Sequence, residues 1–231
     1  MEVWLRKTEK LSLVGQLAAG VAHEIRNPLT SIKGFMQLVK STKECKDFYI
    51  DIILSELERT ESIIYEFLSL AKPNEIKHME KTNITEILVK VIQLLEAQAH
   101  LQGVTINTSF QEDYVIQCNK NEMKQVFLNL IQNAIEACHS NGCIQIQLKE
   151  KDLNHIIIQI QDDGCGIPRE RLHKLGEPFY STKEKGTGLG LLVTYKIIEG
   201  HKGKVNFTSE VGKGTTVEIV LPKRIYTLVG S

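Results

Sequence analysis

His23 is followed directly by Glu24, and Asn27 stands four residues beyond the histidine. An imidazole is neutral often enough near pH 7 to act as a nucleophile, and an adjacent carboxylate can take the proton it loses. Asn129 and Asn133 are also four apart, so on a helix both amides project from one face. Amide oxygens are hard, neutral ligands suited to Mg²⁺, which keeps several waters and leans on substrate phosphates for the rest. The run Asp162-Asp163-Gly164-Cys165-Gly166-Ile167-Pro168 offers a carboxylate able to accept from an exocyclic amine such as adenine's. Its glycines permit a tight turn and a close backbone approach. Gly186-Thr187-Gly188-Leu189-Gly190 leads into an apolar periodic run, and the unpaired amides that open a helix attract phosphates. Between these two loops, Glu177–Lys183 reads as a lid, with Phe179 as its packing anchor and Lys183 near the phosphates. Taken singly, each signal has a plain structural counterpart: a surface histidine, a solvated asparagine pair, an Asp-Gly turn. Their order along one chain is what gives them weight.

The elements that must carry these residues fall into two halves. Leu11, Val14, Ala18, Val21, Ile25, Pro28, Ile32, Phe35 and Val39 alternate three and four apart, a heptad seam on one long helix. With the seam at Val21 and Ile25, His23 falls on the outward face. Trp4 extends the same frame backward, which suggests a helix continuing from an upstream sensor. Pro28 removes a backbone hydrogen bond and is expected to loosen the turn below the histidine. After a polar connection at Lys40–Asp47, a second seam runs Ile50, Ile53, Leu57, Thr60, Ile64, Phe67, Ala71, and Pro73 ends it. Two such helices make an antiparallel hairpin, and pairing of two hairpins into a four-helix bundle buries both seams.

Beyond Pro73 the period changes. Asn83-Ile84-Thr85-Glu86 and Asn119 with Glu122 are capping signals for helices ending near Gly103 and Ser140. Strands are expected at Val104–Phe110, Tyr114–Cys118, Cys143–Lys149, His155–Gln161, Val205–Ser209 and Thr215–Leu221, with a helix over Leu189–Glu199 and a turn at Gly212-Lys213-Gly214. Without regular βαβ alternation this predicts an α+β fold: a helical hairpin over 1–73 and an α/β sandwich over 74–231.

The whole chain has 231 residues, with 28 Lys+Arg against 28 Asp+Glu. Zero net charge gives no case for nucleic-acid binding. Hydrophobic residues make up 42%, too many for disorder, yet no apolar run reaches the ~18 residues of a membrane span. Five scattered cysteines lack paired spacing and read as reduced thiols of a cytoplasmic protein. Zinc at Cys138, His139 and Cys143 lacks a fourth ligand.

The series Asn129…Asn133, Asp162-x-Gly164-x-Gly166, Phe179, Gly186-x-Gly188-x-Gly190 resembles the N, G1, F and G2 boxes of histidine kinases, in order. The run from Leu17 to Leu29 around His23 resembles their H box. The resemblance implies a Bergerat-type ATP fold with ATP and Mg²⁺ as ligands. It also implies contacts from Ile167, Thr182, Thr187 and Leu189 beside the glycines, and Nε2 of His23 as phosphoacceptor. Its phosphatase-competent members carry an amide or hydroxyl at the spacing of Asn27. Some members carry a basic residue where this chain has Glu136, so Lys183 is expected to serve the phosphates instead. The implied partners are a second copy through the hairpin, a response-regulator receiver domain, and an antikinase inhibitor docking on the hairpin.

Gly15–Gly20 and the stretch from Glu58 to Pro73 are similar to sporulation-initiating sensor kinases of Bacillus-type bacteria, and such a kinase can carry a membrane anchor upstream. A clamp of the gyrase or chaperone type is the main rival. Those proteins use a carboxylate to activate water where this chain has Asn129, and an amide cannot be that base. A nucleotide-binding dimeric scaffold is the other, against which the intact His23–Glu24 pair argues.

Overall fold

A computed structural model describes residues 2–42, 47–71, 79–181 and 186–223, with first-helix side chains from residue 18 and second-helix side chains up to residue 68. Two compact units emerge, Met1–Glu75 with Gly176–Val193 and Ile76–Leu175 with Thr194–Ser231.

The first unit is built on α1 (Glu2–Thr42) and α2 (Asp47–Ala71). Phe35 lies against Tyr49 with ring centroids 5.7 Å apart, and Glu24 meets Arg59. Contacts that climb one helix as they descend the other define an antiparallel hairpin. On α1 the expected seam faces inward from Val21 onward: Val21 and Pro28 are buried and Ile25, Ile32, Phe35 and Val39 are half-buried, whereas Ala18 is exposed. α1 runs without interruption through Pro28, so the turn below His23 keeps its helical form despite the missing hydrogen bond. On α2 the seam departs from expectation. Ile53 and Ile63 are buried, whereas Leu57 and Ile64 stay exposed. Ile63 and Ile64 are equally apolar neighbours, so periodicity alone could not choose between them. Packing on α1 selects Ile63. The remainder, Ile50, Leu54, Leu57, Ile64 and Leu68, forms an exposed apolar stripe with heptad-like spacing.

The second unit opens with β1 (Glu80–Asn83), which pairs antiparallel with β3 (Val115–Cys118). β1 is polar and four residues long, too brief for an alternating pattern to announce it. Asn83 then caps α3 (Ile84–Leu101), its side chain accepting from the Glu86 N–H. Asn119 caps α4 (Lys120–Ala137) by accepting from the N–H groups of Asn121 and Glu122. Both caps match the sequence signals.

The main sheet has the order β2-β4-β5-β7-β6: β2 (Thr105–Phe110), β4 (Cys143–Asp152), β5 (His155–Asp162), β7 (Gly214–Pro222) and β6 (Lys204–Glu210). β2 is parallel to β4, and the remaining pairs are antiparallel. A short α5 (Arg169–Leu172), which carries no period, follows β5. α6 (Gly190–Gly200) precedes β6. Ile144, Ile146, Leu148, Ile156, Ile158 and Ile160 alternate inward from β4 and β5, and α3 and α4 bury Leu88, Val91, Phe127 and Ile131. The result is the expected α+β arrangement of helices on a mixed sheet. Buried His201 ties α6 to the start of α4, since Nδ1 donates to the Ile197 carbonyl while Nε2 accepts from the Asn119 N–H. Both ring nitrogens are thereby committed and the neutral tautomer is fixed.

Candidate phosphoacceptor and nucleotide site

His23 and Asn27 are exposed on one face of α1, where a helical spacing of four places them. Glu24 points between the helices and is half-buried. Its Oε2 lies 3.5 Å from Arg59 Nη2 on α2, and Arg59 Nη1 lies 3.9 Å from Glu56 Oε2. The carboxylate one residue after the exposed imidazole is thus anchored by a cation from the facing helix.

In the second unit, Asp162 ends β5 and is buried. Its Oδ1 accepts from the N–H of Gly164 at 3.0 Å and of Thr215 at 3.1 Å. With Oδ1 taking both of these bonds, Oδ2 is the oxygen left to meet an amine. Burial pushes the Asp162 carboxyl above the usual carboxylate range, against the pull of the same two backbone bonds. Gly166 adopts φ +69°, and a Cβ there would lie 2.1 Å from the Glu210 carbonyl oxygen. Only glycine lets this loop lie so close to the β6–β7 turn. Ile167 donates its N–H to Ser209 Oγ. Asn129 and Asn133 sit half-buried on α4, and neighbouring Gln132 bonds to Glu136.

Gly176–Val193 belongs to the first unit. Phe179 takes φ +61°, a left-handed conformation rare for an aromatic residue, and its ring occupies the space beside Gly20. A Cβ at position 20 would stand 2.4 Å from that ring. Thr187 donates its hydroxyl to Glu66 Oε2 of α2 at 2.6 Å and accepts from the Leu189 N–H at 3.2 Å. Leu189 is buried, and Gly186, Gly188 and Gly190 are half-buried. Thr182 and Lys183 lie outside the described residues. Burial pushes Glu66 above the usual carboxylate range, opposed by hydroxyls of Thr187 and Ser62.

Burial, with the Asp162 and Asp163 charges, pushes the Cys138 thiol up to about 12, so it stays a protonated thiol rather than a metal-binding thiolate.

Four residues that hold this geometry carry no signal of it in the sequence: Arg59, Glu66, Ser209 and Thr215. Gly212-Lys213-Gly214 was legible as a turn, but nothing in it announced that the next residue would hold Asp162.

Residues 118–225 match the family of histidine kinase-, DNA gyrase B- and HSP90-like ATPases, and residues 13–76 match the His Kinase A (phospho-acceptor) domain. The ATPase match implies ATP binding. Sporulation kinase E of Bacillus subtilis is 50% identical over 227 residues, spanning 97% of this chain but 30% of that protein's length. Among solved structures, the catalytic domain of histidine kinase ThkA is 31% identical with a TM-score of 0.59, covering 63% of this chain and 96% of that one. Histidine kinase ThkA in complex with response regulator protein TrrA is 30% identical with a TM-score of 0.79, over 96% of this chain and 65% of that one. No helix among the described residues is long and apolar enough to cross a membrane. A phosphoacceptor segment bracketing His23, followed by an ATPase segment that contains Asn129, Asn133 and Asp162, places this chain in the sensor histidine kinase family.

Proposed function

We propose that this chain is a protein-histidine kinase core that phosphorylates itself on His23 and passes the phosphoryl group to an aspartate of a response regulator. The observation that carries the proposal is His23, exposed on α1 inside the phosphoacceptor match, with a carboxylate at the next position. Asp162 reads the adenine amine through its outward oxygen, with Gly164, Gly166 and Ile167 forming the floor. Thr187 and the glycines at 186, 188 and 190 serve the phosphates in this proposal, as do Thr182 and Lys183 by family resemblance. Phe179 anchors the segment between the two loops. Asn129 and Asn133 would supply amide oxygens to Mg²⁺, whose charge would offset that of the phosphates.

A ring nitrogen of His23, Nε2 by family resemblance, bonds to the γ-phosphorus as the bridging bond to the β-phosphate breaks and ADP leaves. Glu24 accepts the imidazole proton. The side chains contribute chiefly by positioning, which dominates phosphoryl transfer.

Residues 1–73 form the dimerising hairpin in this proposal, and residues 74–231 form the catalytic domain. The exposed stripe from Ile50 to Leu68 supports pairing with a second copy, since a lone hairpin leaves it in water. Identity to a sporulation kinase supports a sporulation-type phosphorelay, and the ThkA–TrrA complex supports a receiver domain as partner. The first rests on 30% of that relative's length and the second on 65%. A cytoplasmic location, with any membrane anchor elsewhere in a longer protein, follows from the same proposal.

Incubation with γ-labelled ATP tests it. Wild type acquires an acid-labile, base-stable label, as a phosphoramidate is, whereas His23→Ala takes none and still binds ATP. Acid-stable label on wild type, or turnover of ATP to phosphate without label, favours an ester acceptor or a hydrolytic clamp.

A further inference from the structure

The loop from Asp162 to Ile167 is held along its length. Asp163 donates its N–H to the Cys143 carbonyl, Cys165 donates to the Ala137 carbonyl, and the Cys165 carbonyl accepts from Gly212. Those are main-chain ties. Its two ends are fixed by side chains instead: Asp162 Oδ1 at the start, and Ser209 Oγ on the Ile167 N–H at 2.8 Å at the far end.

Ser209 Oγ also lies 2.8 Å from the Gly214 carbonyl oxygen and 3.0 Å from Thr215 Oγ1. A hydroxyl has one proton and two acceptor lone pairs. Donation to Gly214 leaves both lone pairs, one for the Ile167 N–H and one for the Thr215 hydroxyl, so a single arrangement satisfies all three bonds. Thr215 in turn donates its N–H to Asp162. The bonds therefore close a circuit from Ile167 through Ser209 and Thr215 to Asp162 and on to Gly164.

We propose that Ser209 is a positioning residue for adenine-nucleotide binding, its hydroxyl fixing the Ile167 end of the loop to the strand pair that holds Asp162 at the other end. An ordinary half-buried strand serine would contribute to the fold alone. This one joins β6, β7 and the loop, and alanine could replace none of its bonds. Freed from Ser209, the Ile167 amide would turn to water, and the Gly214 carbonyl and Thr215 hydroxyl would lose a partner, while the Thr215 N–H stays on Asp162 through the strand pairing. The inference rests on Asp162 and its loop being the adenine site.

The test measures ATP affinity and melting temperature together, on the full chain, well below the melting range. Ser209→Ala is expected to weaken ATP binding roughly five- to tenfold, the scale of one or two net hydrogen bonds. Ser209→Thr keeps the hydroxyl and is expected to restore affinity. Exchange of the Ile167 amide should quicken in Ser209→Ala while that of Asp163 holds. Wild-type affinity in Ser209→Ala, with only a lowered melting temperature, overturns the proposal. Should Ser209→Ala fail to fold, the wild-type protein decides: a slowly exchanging Ile167 amide without nucleotide supports the role, and a freely exchanging one overturns it. Asp162→Ala separates the two levels. If it binds ATP normally, the adenine site lies elsewhere; if it loses ATP while Ser209→Ala does not, only the positioning role falls.

Discussion

Arg59 Nη2 stands 3.5 Å from Glu24 Oε2, so the carboxylate next to His23 is held from the opposite helix rather than by its own. Consecutive helical residues do not face each other, and a tether from α2 therefore governs where this carboxylate rests. Glu24 is an ion-pair partner for the hairpin and, in the proposed reaction, the proton acceptor as well.

One substitution separates those duties. Glu24→Gln keeps an oxygen for Arg59 but cannot take a proton. Stability of the half-buried pair should fall by about 1 kcal/mol or less. The rate of labelling from ATP should drop roughly a hundredfold or more, the scale of general-base catalysis. Pulse labelling beside thermal melts reads both. Unchanged labelling would make Glu24 a structural partner of Arg59 alone.

Asp162→Asn separates stability from recognition in the second unit. The native carboxyl is buried and titrates above its unfolded value, so its contribution to stability is present below the unfolded value and lost as pH rises through the folded one. At neutral pH the buried charge is therefore a cost. Asparagine removes that cost, and its Oδ1 still accepts from Gly164 and Thr215. Its Nδ2, however, presents donors to the adenine amine, itself a donor. Melting at pH 7 should stay level or rise, with a smaller difference near pH 4, while ATP affinity falls at least roughly tenfold. Calorimetric titration with ATP alongside melts at both pH values checks this. Retained affinity shows that another group reads the base.

The hydrogen bond from Thr187 to Glu66 gives a second pH-dependent test, confined to the first unit. Burial raises the Glu66 carboxyl, and the Thr187 hydroxyl is the larger of two bonds opposing that rise. Thr187→Val removes it, so the Glu66 titration should move further up. The sign is the same as for Asp162: the penalty appears as pH rises through the folded value and is absent below the unfolded one. Loss of stability of roughly 1 kcal/mol is expected at pH 7, shrinking toward pH 4. Carbon-detected NMR titration of Glu66 in both proteins reads the shift directly. An unmoved titration means that Thr187 leaves Glu66 in solution.

Much of this was legible in the sequence because local physics wrote it there. Asn83 and Asn119 signalled their helices through capping chemistry, and the α1 seam through its period. The glycine loops showed themselves because few residues other than glycine survive such turns. What stayed hidden depends on tertiary register. Ile63 rather than Ile64 faces α1 because packing breaks a tie between identical side chains. Thr215 matters because β7 pairs with β5 so that it stands opposite Asp162. Ser209 matters because β6 then sets it beside Thr215. Arg59 and Glu66 are charges in an amphipathic helix, indistinguishable from solvated ones until α1 and the Gly186–Gly190 loop lie against them.

Asn27 carries the last prediction, about the reverse activity. It lies one helical turn from His23 and is exposed beside it, on the face a docked regulator would approach in the proposed transfer. A carboxamide both donates and accepts, so it can align a water for attack on an aspartyl phosphate. Pro28 follows directly, and α1 nevertheless continues unbroken, so Asn27 is not required to cap a helix break. That removes the main structural duty the residue could have had. Asn27→Ala should therefore keep most of the autokinase labelling and lose the ability to dephosphorylate the regulator. Decay of purified phospho-regulator is followed with wild type, with Asn27→Ala and without kinase, in ADP and Mg²⁺. Decay accelerated by wild type and not by the variant assigns the water-aligning role to Asn27. No acceleration by wild type makes this chain a kinase only. Joint loss of both activities means that Asn27 shapes the turn around His23, since a water-aligning amide has no part in the forward transfer.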